Sequence, residues 1–474
     1  MKYCLLMIAL LTALEAYAQD THYWTQQFGS RSALMSGAVV GGTDDNTMVY
    51  YNPGALGFLD DASLSINANV YRIENIRIFN AVGQQADFRS NQFASVPLLA
   101  GGMLKTKRDR WKIGYAFIAP VDFSFKGIAR IDSDFALVDD AESPGTEALV
   151  GESSLTSKLS EVVLGLGIGR ALNEQWAIGI THLFTVRSHT YQRNFSAHMF
   201  LNDAAQTLVS ANRVQNVDYY NVRYAAKVGV TYRTSGWSWG LTLTTPSVRI
   251  MGNGTVAADV SVHNLKLNGT DRVEGLASDR QAKLKSIYKS PLSIAAGVNH
   301  TKERSAWGLS MQYYSSVGVY DILRAMPSAF VRPAELYTHL GSDEFLRVKS
   351  AARPVFNVAL GYEYLLNEKV SLLASMRNDM SYYDNDLTEE RGIKTNISSW
   401  DIYHFVAGAT IHHEQSSLSV GLLFSTGKND AYKQEGNLGN PSEGNLLQGS
   451  TTITKATFRS IGFLLGYTFS FKKF

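Results

Sequence analysis

The sequence predicts an all-β fold: a transmembrane antiparallel β-barrel of about fourteen strands, its lumen holding an N-terminal hatch (plug). Three observations carry that reading. Apolar residues alternate with small or polar ones along many short segments. Short and long connections between these segments follow one another without exception. The chain also opens on an export signal and closes on an aromatic-rich strand.

The alternation comes first. Trp111, Ile113, Tyr115 and Phe117 alternate with Lys112, Gly114 and Ala116. Tyr220, Val222, Tyr224, Ala226, Val228 and Val230 alternate with Asn221, Arg223, Ala225, Lys227 and Gly229. Successive side chains of a strand point to opposite faces, so each segment has one greasy face and one small or polar face. In lipid every backbone polar group needs a partner within the protein, and a sheet meets that demand only by closing on itself.

Strands are expected near 62–72, 93–105, 111–125, 160–171, 175–190, 219–234 and 237–249. Seven more follow near 289–301, 304–317, 354–366, 369–382, 401–413, 417–427 and 456–471. Short turns fall at 107–110, 173–174, 234–236, 301–304, 367–368 and 414–415. Long loops occupy 73–92, 126–159, 191–218, 250–288, 318–353, 383–400 and 428–455. Periplasmic turns are short and outer loops long in such barrels, which places both termini at the periplasmic end. The run 256–262 is read as a hairpin arm within its loop, because a fifteenth strand breaks the alternation.

Composition agrees. The 474 residues are 45% hydrophobic and the formal charge is only +2, which suggests neither helical membrane spans nor a nucleic-acid partner. Residues 1–18 read as a signal peptide: Lys2, an apolar run Leu5 to Leu14, then Ala16-Tyr17-Ala18. Cys4, the single cysteine, lies inside it. Residues 61–474 read as the barrel with its long outer loops.

Between them, residues 19–60 fit no strand. They carry the small-residue run Ser32 to Gly42, with Ser36 and Gly37 at its centre. A polar turn, Asp44-Asp45-Asn46, comes next, then Tyr51-Asn52-Pro53-Gly54-Ala55-Leu56. Such a compact segment suits a plug. It resembles the N-terminal hatch of the FadL/OmpP1/TodX outer-membrane transporters, in which a small-residue run precedes an Asn-Pro-Ala motif. Gly54 stands where that motif has Ala. The resemblance implies a fourteen-stranded barrel passing hydrophobic molecules, long-chain fatty acids or aromatic hydrocarbons, by diffusion past a hatch formed by Asn52, Pro53, Gly54, Ser36 and Gly37. It also implies a sideways exit near the third strand.

Pro120, with Asp122 beside it, is the candidate for that exit, since proline donates no hydrogen bond to a ladder. The alternative is that Pro120 ends the strand at the outer rim, as Pro246 is expected to end the seventh. A lateral opening requires missing main-chain pairing beside Pro120. Lumen-phase charges are Arg187, Arg223, Lys227, Arg233, Arg377 and Asp379. Arg223, Lys227 and Arg377 are the candidates for meeting a ligand carboxylate, against the reading that most are paired wall residues.

Gly236-Trp237-Ser238-Trp239-Gly240 has the spacing of a nucleophile elbow but leads into a strand, not a helix. Gly165, Gly167 and Gly169 read as a lumen face. His412, His413 and Glu414 read as a solvated turn, and Asp139, Asp140 and Glu142 as a solvated loop. No catalytic residue, metal or cofactor is expected. The expected surroundings are outer-membrane lipid and lipopolysaccharide of a Gram-negative cell, with a monomeric barrel. The strand ending at Phe474 is expected to engage the barrel-assembly machinery, although Phe474 is out of phase with Tyr467, Phe469 and Phe471. A scaffold in protein export or surface attachment, and a general porin, are the alternative functions.

Overall fold

The computed structural model describes residues 20–43, 45–59, 62–104, 111–138, 140–266, 271–333, 340–385, 387, 392–434, 436–447 and 449–471. The expected signal peptide, Asp44, the 107–110 turn, Asp139 and Phe474 lie outside them.

Nineteen strands are present among these residues. The first seven are β1 (Ala62–Ile78), β2 (Phe88–Leu104), β3 (Lys112–Phe135), β4 (Glu147–Ala171), β5 (Trp176–Phe200), β6 (Leu208–Thr234) and β7 (Trp237–Thr244). Next come β8 (Val248–Lys266), β9 (Arg272–Lys285), β10 (Ser293–Lys302), β11 (Ser305–Tyr314), β12 (Val317–Leu323) and β13 (Val348–Ala352). The last are β14 (Val355–Asn367), β15 (Val370–Asp379), β16 (Ile393–Lys394), β17 (Asp401–His413), β18 (Ser416–Lys433) and β19 (Ile453–Phe471). Fourteen of them, β1 to β7 with β10, β11, β14, β15, β17, β18 and β19, form one antiparallel ring that β1 and β19 close. Closure pairs the first strand with the last, which is the condition for crossing a bilayer with strands.

The long outer loops at 126–159 and 191–218 are a correction. Most of their residues are strand, because β3 to β6 run 24 to 27 residues each. The physical reason is an inversion of pattern. On the lower part of β5, Ile178, Phe184 and Val186 face outward and are exposed, while Gly179, Thr181 and Thr185 face the bore. Above Arg187 the outward positions become Ser188, Thr190, Gln192 and Asn194, and the buried ones Tyr191, Phe195, Ala197 and Met199. The greasy outward face thus covers about the 9–11 residues a tilted strand needs to cross lipid. Beyond it the wall stands in water and packs its apolar face inward.

That inward face builds an apolar core in the outer half of the bore. Phe88, Phe123, Phe125, Leu155, Tyr191 and Phe195 from the wall meet Leu323, Val348, Ile397 and Trp400 from the outer loops. β12, β13 and β16 form a separate three-stranded sheet within this cap. Phe125→Ala, emptying a fully buried ring site, is expected to cost about 3–5 kcal/mol, read as a lowered unfolding temperature.

The expected hairpin arm at 256–262 belongs to the β8–β9 hairpin, which pairs with the outer half of β6. Pro246 interrupts rather than ends its strand: β7 stops at Thr244, and β8 resumes on β6 at Val248. Two acids of the 139–142 loop are tied to this hairpin. Glu142 bonds Arg272 at 2.6 Å, and Asp140 lies 3.9 Å from Lys266. The Arg272 hydrogen bond holds Glu142 below the usual carboxylate range, so the tie is complete at neutral pH and is lost as pH falls. Faster amide exchange in residues 140–146 on acidification, after correction for intrinsic rates, is the expected signature.

Candidate functional site

Residues 20–43 and 45–59 lie inside the ring. Two short helices, α1 (Ser30–Leu34) and α2 (Met48–Tyr51), and a 3-10 turn (Pro53–Phe58) contact wall strands on both sides of the bore. Their close seating depends on wall glycines. A Cβ at Gly240 would run into the Val40 carbonyl, and one at Gly308 into the Ala38 carbonyl. Gly167 and Gly169, two of the expected lumen-face glycines, abut Leu56.

Asn52 is fully buried and satisfied. Its Nδ2 donates to the Val40 carbonyl at 2.8 Å, to Thr231 Oγ1 at 3.0 Å and to the Val230 carbonyl at 3.3 Å. Its Oδ1 accepts from the Gly54 amide, which caps the 3-10 turn that Pro53 begins. Gly54 rests against β6, where an added Cβ would lie 2.8 Å from the Gly229 carbonyl oxygen. Ser36 and Gly37 form a left-handed turn with φ of 55° and 77°. Ser36 bonds Ser375 of β15, and Gly37 packs beneath Gln27. Asn52, Gly54 and Ser36 are therefore contacts between segment and wall, whereas Gly37 packs within the segment.

Two of the three candidate cations serve the same segment. Lys227 donates to the Tyr50 carbonyl and lies 4.4 Å from the Tyr50 ring centre. Arg377 donates to the carbonyls of Trp24 and Thr25 at 3.1 and 3.2 Å. Arg223 stands apart. Its Nη2 and the Nη1 of Arg187 converge on Glu161 at 2.8 and 2.7 Å, with both guanidiniums against the Tyr288 ring. Its own buried Nη1 has no hydrogen-bond partner among the described residues. Two cations against one acid leave this cluster with an excess positive charge. Sequence reading missed Glu161. The available signal was an acid in the inward phase of β4, directly across from Arg187 in register.

The cluster borders a chamber of about 140 Å³, walled also by Val163, Leu183, Ala225 and the rings of Tyr50, Tyr314 and Tyr382. Tyr23 stacks between Tyr314 and Tyr382 at 4.1 and 4.5 Å. Through Tyr23 and Tyr50 the chamber adjoins a crevice in the N-terminal segment. Through Arg187 and Tyr288 it adjoins a small cavity reaching Asn396, which also lines an outer vestibule of about 870 Å³.

Pro120 lines the chamber as well. The β2–β3 ladder stops at the pair Leu99 and Ile118, and the β3–β4 register slips between Ile118 and Val121. Beyond this point β2 continues on β1, and β3 continues on β4. Arg72 of β1 reaches across the break, donating through Nη2 to the Asp122 carbonyl at 2.9 Å and its carboxylate at 3.3 Å. Pro97 on β2, a second residue without an N–H, sits where β2 leaves the shared ladder. Tyr71 and Phe93, exposed and 5.8 Å apart, mark the lipid-facing level beside it.

No protein-family model matches the chain, and no curated protein matches it in sequence. Its backbone is similar to solved structures. A Pseudomonas aeruginosa FadL homologue matches with a TM-score of 0.55 at 13% identity, over 97% of this chain and 100% of that one. The P. putida toluene transporter TodX gives 0.55 at 13%, over 95% and 100%. The Ralstonia pickettii toluene transporter TbuX gives 0.54 at 11%, over 94% and 99%. The chain has the fold of these channels.

Proposed function

We propose that this barrel, with its FadL-type fold, is an outer-membrane channel through which small hydrophobic molecules diffuse, the N-terminal segment acting as hatch and the break at Pro120 as a side exit. One observation carries the reading: the aromatic-lined chamber is bounded by His22, Tyr23 and Tyr50 of the N-terminal segment and at the side by the unpaired stretch of wall. Its volume of about 140 Å³ is close to that of an engineered cavity of roughly 150 Å³ that takes up benzene. A cargo of one aromatic ring therefore fits. Its similarity to toluene transporters supports the same class. A general porin needs a water-filled channel, whereas this bore is occupied by the N-terminal segment below and an apolar core above.

Ala225→Trp fills the chamber from β6. Uptake of labelled toluene by Gram-negative cells making this variant is expected to fall to background, with the barrel still folded in heat-shift electrophoresis. Undiminished uptake would remove the chamber from the path. Co-purification of export proteins with a barrel that binds no hydrophobic ligand would favour the scaffold alternative.

The excess charge at Arg187, Glu161 and Arg223 gives a finer expectation. Arg223→Ala weakens benzoate binding about tenfold and leaves toluene binding unchanged. Equal loss for both ligands would count against a carboxylate contact.

A further inference from the structure

On one side of the barrel, a patch of exposed cations stands at a single height just beyond the lipid-facing band. Register fixes that height. Val186 of β5 pairs with Val222 of β6, and Val222 with Met251 of β8. Val186 and Met251 are exposed, and this is the outermost aliphatic row on the outward face of these strands. The next outward row is Ser188, Tyr220, Asn253 and Lys285, joined strand to strand. Two residues of a tilted strand rise about 5 Å. The headgroup layer over the hydrocarbon is roughly 5–8 Å deep. Lys285 therefore stands at the level of lipid phosphates.

The row continues past β9. A bridge between Ser286 and Leu323, with the Ile287 amide donating to the Ile322 carbonyl at 2.9 Å, sets Lys285 beside Arg324. Lys283 and Lys289 flank Lys285 on the same segment, and Lys289 lies 4.8 Å from the Tyr320 ring centre. Lys283, Lys285, Lys289 and Arg324 are all exposed, and none has an ion-pair partner among the described residues. The acids closest in sequence are engaged elsewhere, Asp279 by Ser342 and Asp321 by Arg347. Like charges side by side on neighbouring strands repel, so the fold gains nothing from setting Lys285 against Arg324. The Tyr220 hydroxyl accepts from Asn253 Nδ2 at 3.4 Å and keeps its own proton to donate.

We propose that this patch, centred on Lys285 and Arg324, docks the phosphates of an outer-leaflet glycolipid. A guanidinium presents paired donors to phosphate oxygens, and lysines supply compact charges around it. Basic clusters beside a bilayer hold anionic headgroups in the same way. What lies beneath selects a lipid over a free anion: Val248, Ile250 and Met251 of β8 are exposed below the patch and offer acyl chains an apolar surface. A monoester phosphate carries about two negative charges at neutral pH, so a doubly phosphorylated headgroup matches four cations. The assignment rests on the barrel crossing the outer membrane and not on what its bore conducts.

The test is native mass spectrometry of the purified, delipidated full-length barrel in detergent with EDTA. Three lipids are titrated: diphosphoryl lipid A, monophosphoryl lipid A and monogalactosyl diacylglycerol, which has no phosphate. Diphosphoryl lipid A is expected to bind at least about tenfold more tightly than the galactolipid, with the monophosphoryl form between them and the preference shrinking as salt rises. Lys285→Gln combined with Arg324→Gln abolishes the preference. Lys302→Gln, at the opposite end of the barrel, keeps it. Because the two cations repel, the double variant leaves the lipid-free unfolding temperature unchanged or raised, which loss of a structural contact would not.

Equal binding of the three lipids, or a preference surviving the double variant, overturns the site. Complete displacement of lipid A by millimolar inorganic phosphate would show a free-anion site and overturn the lipid assignment. Ala225→Trp fills the chamber alone and leaves lipid A binding unchanged, so the transport reading and this one fail separately.

Discussion

Exchanging Gly54 for alanine is expected to unseat the N-terminal segment from the wall, lower the unfolding temperature and raise leakage through the barrel. The new Cβ would lie 2.8 Å from the Gly229 carbonyl oxygen and 2.9 Å from the Val230 Cα, both backbone atoms. β6 cannot yield there, because Gly229 is held in register by Gly179 of β5 and Thr242 of β7. The segment must therefore retreat, and the contacts Asn52 makes to Val230 and Thr231 stretch first. Overpacking of this kind costs about 1–3 kcal/mol. Thermal unfolding and conductance in planar bilayers check it, with Gly318→Ala as control, since nothing lies within 4 Å of a Cβ there. Identical behaviour of the two variants would show that the segment does not seal the bore. The same crowding explains why glycine stands where the hatches this segment resembles carry alanine.

Arg72→Ala is expected to lower stability by about 3–5 kcal/mol. Arg72 and Glu74 are both buried on β1 and lie 3.4 Å apart, and the truncation leaves the Glu74 carboxylate in the wall without its counter-charge. It also removes the side chain that spans the break to Asp122. Replacing both residues by methionine takes away the charges together, so most of the loss should be recovered. That double variant separates stability from passage. If solutes leave beside Pro120, clearing polar groups from the break speeds release of toluene from a folded barrel. An unchanged release rate in the double variant would place the exit elsewhere. Urea unfolding and stopped-flow release give the two readouts.

The parts of this architecture that face lipid were legible in the sequence, because there the outward face is apolar and alternation has its usual sense. Ile113, Tyr115 and Phe117 lie on β3 and Tyr220 to Val230 on β6, as expected, with Trp111 just ahead of β3. The outer halves of β3 to β6 were not legible as strands. Above Arg187 the apolar residues change faces, and a polar outward row reads locally as loop. The site was legible in its types and not in its pairings. Arg223, Lys227 and Arg377 were visible as inward charges, but only register shows that Arg223 meets Glu161 while the other two grip the N-terminal segment. Pro120 could be singled out from proline chemistry alone. The role of Arg72 could not, since it acts across an intervening strand.

The most direct measurement is a structure of the barrel soaked with bromobenzene, with data collected at the bromine edge. The expected result is anomalous density between Val163, Leu183 and Tyr288, above Tyr50 and beside Pro120. Density confined to the outer loops, or an empty chamber at saturating ligand, would contradict a hydrophobic path through this bore.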